Sequence, residues 1–297
     1  MATDAGAARP ACPLCGGGGE RAVVYRLRPF DVVRCPACGG LQRDPLPDQQ
    51  EMESYYRDAA YLGGTYFSEA AAGPEAALHR EALDWLAARR RARGLATTGR
   101  LLDVGAGSGA FLAAARRQGW DAQGLEISPE LADRAQAHSG AVVRTGDFAS
   151  MALADGAFDC VAMWDVLEHC LDPGVFLDRA CSLLAPGGVL VILTIDAASL
   201  FNAVAHAAWK ASGGRVVRPL ELLYDKRHNH YFTRATLRGL LQRHGLRVAH
   251  ESRHRAHLGR WLSEPASPLL VAGAGVLDWI GMLVRRPYRQ LLFCEAA

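Results

Sequence analysis

From Gly99 onward short apolar runs alternate with helical stretches, and the first run turns over at Asp103-Val104-Gly105-Ala106-Gly107-Ser108-Gly109. The pattern predicts strands over 100–104, 121–125, 141–144, 158–163 and 189–195, with helices between them over about 109–118, from Pro129, and over 173–184. Punctuation agrees with the periodicity. Gly119 closes the first helix, Ser128 caps the second ahead of Pro129, and Ala185-Pro186-Gly187-Gly188 breaks the third. Repeated β-α-β units of this length imply an α/β, Rossmann-like sheet, mostly parallel, with helices on both faces. A further helix over 236–244, stopped by Gly245, leads to strands over 246–251 and 289–294, the last of them antiparallel.

Ahead of this core, Cys12 and Cys15 stand two residues apart, as do Cys35 and Cys38, with nineteen residues between the pairs. That is the spacing of a four-cysteine zinc site, and four thiolates close the tetrahedron, so a zinc ion there is expected to be structural. A segment of this size has too small a core to fold unaided. The expected division is a zinc ribbon at 1–45, a helical linker or cap at 46–98, and the Rossmann-like domain at 99–297 with an apolar insertion at about 253–288. Tyr55, Tyr56, Tyr61, Tyr66 and Phe67 group in the cap. Cys160, Cys170, Cys181 and Cys294 read as small buried hydrophobes.

Half the residues are hydrophobic and the net charge is +2, which excludes a polycation or a disordered acidic chain. Met1 to Arg9 has neither a basic start nor an apolar core, so no signal peptide is expected and the thiols should stay reduced. A cytoplasmic site follows, with the inner face of the membrane as its peripheral variant. From Phe201 onward 15 Lys/Arg face 6 Asp/Glu, a local basic excess suited to an anionic acceptor or surface.

The glycine-rich turn alone is ambiguous, because Gly105 to Ala110 also satisfies the dinucleotide fingerprint and Glu126 lies where a ribose-binding acid belongs in either case. A nicotinamide oxidoreductase is therefore an alternative. Three features weigh against it. Asp103 precedes the first glycine, where it would repel a pyrophosphate and attract a sulfonium. Gly146-Asp147-Phe148 ends the third strand with an acid and a ring suited to adenine. Phe158-Asp159-Cys160-Val161, Leu167-Glu168-His169 and Leu184 to Gly188 then follow in order.

On these motifs residues 99–252 resemble class I S-adenosylmethionine-dependent methyltransferases, nearest the small-molecule group that includes ubiquinone-biosynthesis O-methyltransferases. The resemblance implies that Gly105 and Gly107 approach the cofactor's amino-acid part, that Glu126 holds both ribose hydroxyls, and that Asp147 and Phe148 hold adenine. Ala106, Ile127 and Trp164 complete the expected cofactor contacts. The related quinone enzymes hold a divalent metal near this place, which would fall to Asp165, Glu168 and His169 here. The ribbon resembles a variant found in cell-surface glycan, lipid-linked and natural-product gene contexts.

His169 is the first choice for a general base, since methyl transfer needs one only for a weakly acidic acceptor such as a hydroxyl. His228 and His230, in Arg227-His228-Asn229-His230-Tyr231-Phe232-Thr233, are alternative bases, with Thr233 capping the next helix. The expected reaction is O-methylation of a small-molecule, glycan or lipid-linked acceptor, with C- and N-methylation open. A non-catalytic cofactor-binding scaffold is the other class. Nucleic acid is disfavoured by the lack of a basic, aromatic surface near the ribbon. The apolar run at 267–286 is expected to bury against the core, with a lid, a dimer contact or an interfacial membrane helix as alternatives.

Overall fold

The structure, a computed structural model, describes residues 11–57, 69–256 and 268–297. Met1 to Arg9, Tyr61, Tyr66, Phe67 and the start of the apolar run lie outside the described residues. Seven strands form the main sheet: β4 (Arg100–Val104), β5 (Asp121–Glu126), β6 (Val142–Thr145), β7 (Phe158–Trp164), β8 (Leu184–Ile195), β10 (Leu246–His254) and β11 (Arg289–Ala296). Their order is β10-β11-β8-β7-β4-β5-β6. The β4–β5, β4–β7, β5–β6 and β7–β8 pairs are parallel, and β11 runs antiparallel to both β8 and β10. The expected mostly parallel sheet with an antiparallel last strand is thus present.

Strand alternation divides the core into two layers. Leu102, Val161, Met163, Leu190 and Ile192 face one side, against α5 (Pro173–Leu183) and α8 (Arg234–Arg243) through Leu177, Leu183, Leu237, Leu240 and Leu241. Leu101, Cys160, Ala162, Val189, Val191 and Leu193 face the other, against α2 (Glu69–Ala92) and α3 (Ala110–Arg117) through Leu83, Leu86, Phe111, Leu112 and Ala115. Each strand residue therefore buries apolar surface on one side or the other, which is why these strands read as unbroken apolar runs. Cys160, Cys170 and Cys294 are buried in these layers, and Cys181 is half-buried.

The helix starts follow local chemistry. Ser128 accepts from the Leu131 N–H at the head of α4 (Pro129–Ser139), and Asp172 accepts from Gly174 N–H at 2.8 Å at the head of α5. Gly109 has φ +73°, and a Cβ there would stand 2.6 Å from the Ala135 carbonyl oxygen, so only glycine lets α3 and α4 approach this closely. The Ala185–Gly188 turn is absorbed into β8. Phe158 pairs with Leu184 and Cys160 with Val189, so the intervening residues bulge from the ladder.

A second sheet carries the cysteines. β1 (Ala22–Arg26), β2 (Asp31–Arg34) and β3 (Leu41–Asp44) are joined by β9 (His230–Tyr231), a strand contributed from far along the chain. Leu41 pairs with Tyr231 and Gln42 with His230. Tyr25, Leu27, Phe30, Val32 and Leu41 then share a core with Leu220, Leu223, Tyr224, Tyr231 and Tyr288. The ribbon's small core is thus completed by the main domain, through α7 (Arg218–Leu223) and β9, with α6 (Leu200–Ala211) beside them. Neither helix was expected from the sequence.

The apolar run forms α9 (Pro268–Leu283). Its expected burial is corrected: Val271, Val276, Trp279, Ile280 and Leu283 are exposed. Asp278 accounts for this: its carboxylate is buried and pairs with an exposed Arg255, so the side of the helix that carries it faces inward and the apolar side faces out. Among the described residues no helix is long and apolar enough to cross a membrane.

Candidate active site

A cleft of about 310 Å³ opens at the carboxyl ends of β4, β5, β6 and β7. This is where an open α/β sheet reverses its winding and leaves a crevice. Gly105 and Gly107 form its floor with φ of +70° and +52°. A Cβ on Gly105 would come within 2.8 Å of Val166 Cγ2, so the turn is closed to any larger residue. Both Gly105 N–H and Ala106 N–H donate to the Leu125 carbonyl, tying the turn to β5.

Glu126 sits at the end of β5 inside the cleft. Its carboxylate accepts from Gly107 N–H at 2.9 Å and from Ser128 N–H at 3.1 Å. Burial raises its pKa against these backbone donors. Each oxygen holds one N–H and retains a second lone pair for a ligand hydroxyl. Ile127, Asp147 and Phe148 continue this wall. Asp147 is set by its own turn, accepting from Ala149 N–H and from Ser150 Oγ at 3.1 Å, and Phe148 packs at a tilt against Phe176, ring centroids 5.3 Å apart. Trp164 lines the opposite side, braced by His79 and Phe111 at ring separations of 4.7 and 4.8 Å.

Another part of the cleft wall is built on the short 3₁₀ turn Leu167–His169. His169 lines the cleft, and its Nδ1–H donates to the Arg227 carbonyl at 3.0 Å, leaving Nε2 with its lone pair. Burial and the adjacent His228 push its pKa down to about 3. His228 stands behind it, ring to ring at 4.7 Å, and burial lowers its pKa too. Glu168 is fully buried with no hydrogen-bond partner on either carboxylate oxygen, and burial and Asp165 push it up to about 8. Ligand atoms of Glu168, His169 and His228 lie within 4.8 Å of one another, so this trio could hold a divalent cation. Asp165, which the resemblance placed in that set, is engaged elsewhere: Arg289 donates to it at 2.7 Å and to Glu75 at 2.7 Å.

Four expected site residues do not line the cleft. Asp103 is buried on the strand face it shares with Leu101, where burial and Glu126 hold its carboxyl well above the usual range. Ala106 packs with Phe111 and Leu112. His228 reaches the cleft only through His169. His230 is corrected as a candidate base: its pairing in β9 buries it completely, and Nε2–H donates to the Leu171 carbonyl at 3.3 Å. Its neighbour Asn229 holds the Leu167–His169 turn instead, donating from its backbone to the Glu168 carbonyl at 2.8 Å and from Nδ2 to the His169 carbonyl at 2.7 Å. Met52 from α1 (Gln49–Arg57), Leu171, Asp172 and Val175 also line the cleft and were not singled out from the sequence.

The four cysteines of the ribbon meet as expected. Cys12 and Cys38 Sγ are 3.9 Å apart, and Cys15 and Cys35 Sγ are 3.8 Å apart. Zn–S bonds of about 2.3 Å in a tetrahedron require S···S separations of about 3.8 Å, whereas a disulfide needs about 2 Å. Gly17 N–H and Gly40 N–H each donate to a sulfur at 3.4 Å, which favours thiolates.

Residues 76–251, more than half the chain, match a protein family described as "Methyltransferase domain". Ubiquinone biosynthesis O-methyltransferase of Xylella fastidiosa (strain 9a5c) is 32% identical over 157 residues, covering 50% of this chain and 60% of that protein. The enzyme of the same name from Xanthomonas campestris pv. campestris (strain B100) is 34% identical over 133 residues, covering 42% and 54%. The chain thus spans little more than half the length of these curated relatives. Among solved structures, magnesium protoporphyrin IX methyltransferase from Synechocystis PCC 6803 with bound S-adenosylhomocysteine superposes with a TM-score of 0.54 at 18% identity, over 84% of this chain and 100% of that one. The 1,6-didemethyltoxoflavin-N1-methyltransferase of Burkholderia thailandensis gives 0.53 at 17%, over 94% and 100%. At these identities the likeness is one of fold.

Proposed function

Because the chain belongs to the methyltransferase-domain family, we propose that it moves a methyl group from S-adenosylmethionine to an oxygen of a small-molecule, glycan or lipid-linked acceptor. The observation that carries this reading is the Glu126 carboxylate, fixed inside the cleft by Gly107 and Ser128 N–H groups beside a glycine floor. A ribose diol fits that acceptor pair. Asp147 and Phe148 extend the wall toward the adenine, and the floor leaves no side chain between backbone and the amino-acid part.

The donor's methyl group would then face Trp164, Asp165 and His169. In the transfer the acceptor oxygen bonds to the methyl carbon as the S–C bond breaks, and the proton leaves for His169 Nε2 or solvent. His169 is neutral before it acts, but its low pKa makes it a weak base. Its role is therefore to align an acidic hydroxyl and take its proton late, with alignment and exclusion of water supplying most of the rate. Cys12, Cys15, Cys35 and Cys38 would hold a zinc ion that supplies structure alone, since four sulfurs leave no open position.

Calorimetric titration with S-adenosylhomocysteine and with NADH tests the cofactor reading. Binding of the former alone supports it, and binding of NADH alone overturns it. Binding without methyl transfer to any acceptor offered would favour a scaffold.

A further inference from the structure

Helix α9 turns an apolar stripe outward. Ala272, Val276, Trp279, Ile280 and Leu283 recur at the spacing of one helix face, and Val276, Trp279 and Leu283 are 59%, 56% and 62% exposed. The opposite face is anchored. Asp278 accepts from Arg255 Nε at 2.9 Å and from Ala256 N–H at 3.1 Å, and Gly281 packs beside Leu200, where a Cβ would crowd the Arg286 carbonyl at 3.0 Å. The helix cannot roll its stripe inward without pulling the buried Asp278 carboxylate away from Arg255 and the Ala256 N–H. Val204 on α6 and Leu222 on α7 are exposed in the same helical layer.

The segments that build this helical layer carry a basic excess. Residues 200–230 and 268–288 carry seven Lys/Arg against three Asp/Glu. Each of the three acids already has an arginine: Glu221 with Arg218, Asp225 with Arg227, and Asp278 with Arg255. Arg285 and Arg286 are exposed directly at the end of the stripe. An exposed tryptophan among aliphatic residues, rimmed by arginine, matches the chemistry of an anionic headgroup layer. A second copy fits poorly, because a two-fold axis through this face would set the two basic rims against each other.

We propose that α9 docks this protein on an anionic phospholipid surface, lying in the plane of the headgroups with its stripe in the acyl boundary. At 16 residues it is about 24 Å long, too short to span a hydrocarbon core of about 30 Å. α6 follows the carboxyl end of β8, the same sheet edge on which the cleft opens, so docking there holds the cleft near lipid-borne acceptors. That last step rests on the methyltransferase reading; the docking itself does not.

Flotation of the full chain with vesicles of phosphatidylcholine, alone or mixed with phosphatidylglycerol, tests the proposal. The protein should float with the anionic vesicles and not with the neutral ones. Arg285→Gln with Arg286→Gln should lower partitioning roughly 30-fold, about fivefold per arginine at the surface. Val276→Glu with Leu283→Glu, at exposed positions, should abolish flotation and leave the melting temperature unchanged. Flotation that survives the glutamates, or is absent altogether, would overturn the proposal. So would a dimer in analytical ultracentrifugation that the same glutamates dissolve, since the stripe would then belong to a second copy. Titration of the same preparations with S-adenosylhomocysteine keeps failure of docking distinct from failure of the cofactor reading.

Discussion

Replacing Asn229 by alanine would show whether the ribbon and the acceptor end of the cleft are one mechanical unit. Asn229 is fully buried, and its Nδ2 is the donor to the His169 carbonyl at 2.7 Å. Its backbone bonds, from its N–H to Glu168 and to its carbonyl from Arg43 N–H, survive the substitution. The loss is therefore the short bond to His169, the longer Nδ2 contacts at 3.5 Å to the Cys170 carbonyl and Met52 Sδ, and a buried acceptor left unsatisfied, worth about 1–3 kcal/mol. If the whole fold feels it, the melting temperature falls by roughly 4–8 °C for a loss of about 2 kcal/mol. If only the turn opens, amide exchange around residues 167–170 accelerates by about 5- to 150-fold, read by mass spectrometry on the peptides that contain it. Asn229→Asp should be worse than alanine, because it faces a carbonyl oxygen with a buried charge. Affinity for S-adenosylhomocysteine should change less than about twofold, since Glu126 and Asp147 are set by Gly107, Ser128, Ala149 and Ser150 and not by Asn229. Unchanged exchange and melting in the alanine variant would refute the coupling. A parallel loss of cofactor affinity would show that Asn229 supports the cleft as a whole, not its acceptor end.

Glu126→Ala removes a carboxylate expected to accept two ribose hydroxyls, so calorimetry should show S-adenosylhomocysteine binding weakened by roughly 100-fold; a change of a few fold would remove Glu126 from the site. Elemental analysis should find about one zinc per chain, and a chelator should lower the melting temperature; folded, metal-free protein indifferent to chelator would refute the ribbon as a metal site. His230 gives a pH signature: burial holds its pKa at about 4 in the folded chain, against about 6.5 unfolded. Between these values only the unfolded chain takes the proton, so stability should fall as pH drops from about 6.5 to about 4, by up to about 1.4 kcal/mol per unit. His230→Gln should flatten that part of a denaturation-versus-pH curve, and an unaltered slope would count against the buried neutral imidazole.

What could be read from the sequence was local. The central strands showed themselves because residues such as Val189 to Leu193 are apolar on both faces, and the cap at Ser128 lies beside the proline that follows it. The cysteines were legible because each pair carries its metal-ligand spacing within four residues. Partners distant in sequence were not. β9 is two residues long and pairs with β3 about 190 positions earlier, which leaves no periodicity to detect. Asp165 and Arg289 are 124 residues apart, so nothing near Asp165 announced that its carboxylate was taken. His230 stood behind His169 as an alternative base, and only its complete burial in β9 removes it. The apolar content of α9 suggested a core helix, whereas its orientation was decided by the single charge Asp278.

The β3–β9 pairing also answers why a closed four-sulfur cluster belongs beside a cofactor cleft. Such a cluster has no open coordination position, so its effect on the site must be mechanical. The path is continuous: Cys35 and Cys38 bracket the turn from β2 to β3, β3 pairs with β9, and Asn229 at the start of β9 holds the Glu168 and His169 carbonyls. Arg43 on β3 tightens the same junction, donating to the Lys226 carbonyl and to Glu51 on α1, the helix that brings Met52 to the cleft. A turn of three residues bearing a buried, unpartnered carboxylate and a neutral imidazole would open readily on its own. Tied to a sheet that a zinc ion on the four sulfurs would stabilise, it would inherit part of the folding free energy of the ribbon, and that end of the cleft would be kept in place before any acceptor arrives.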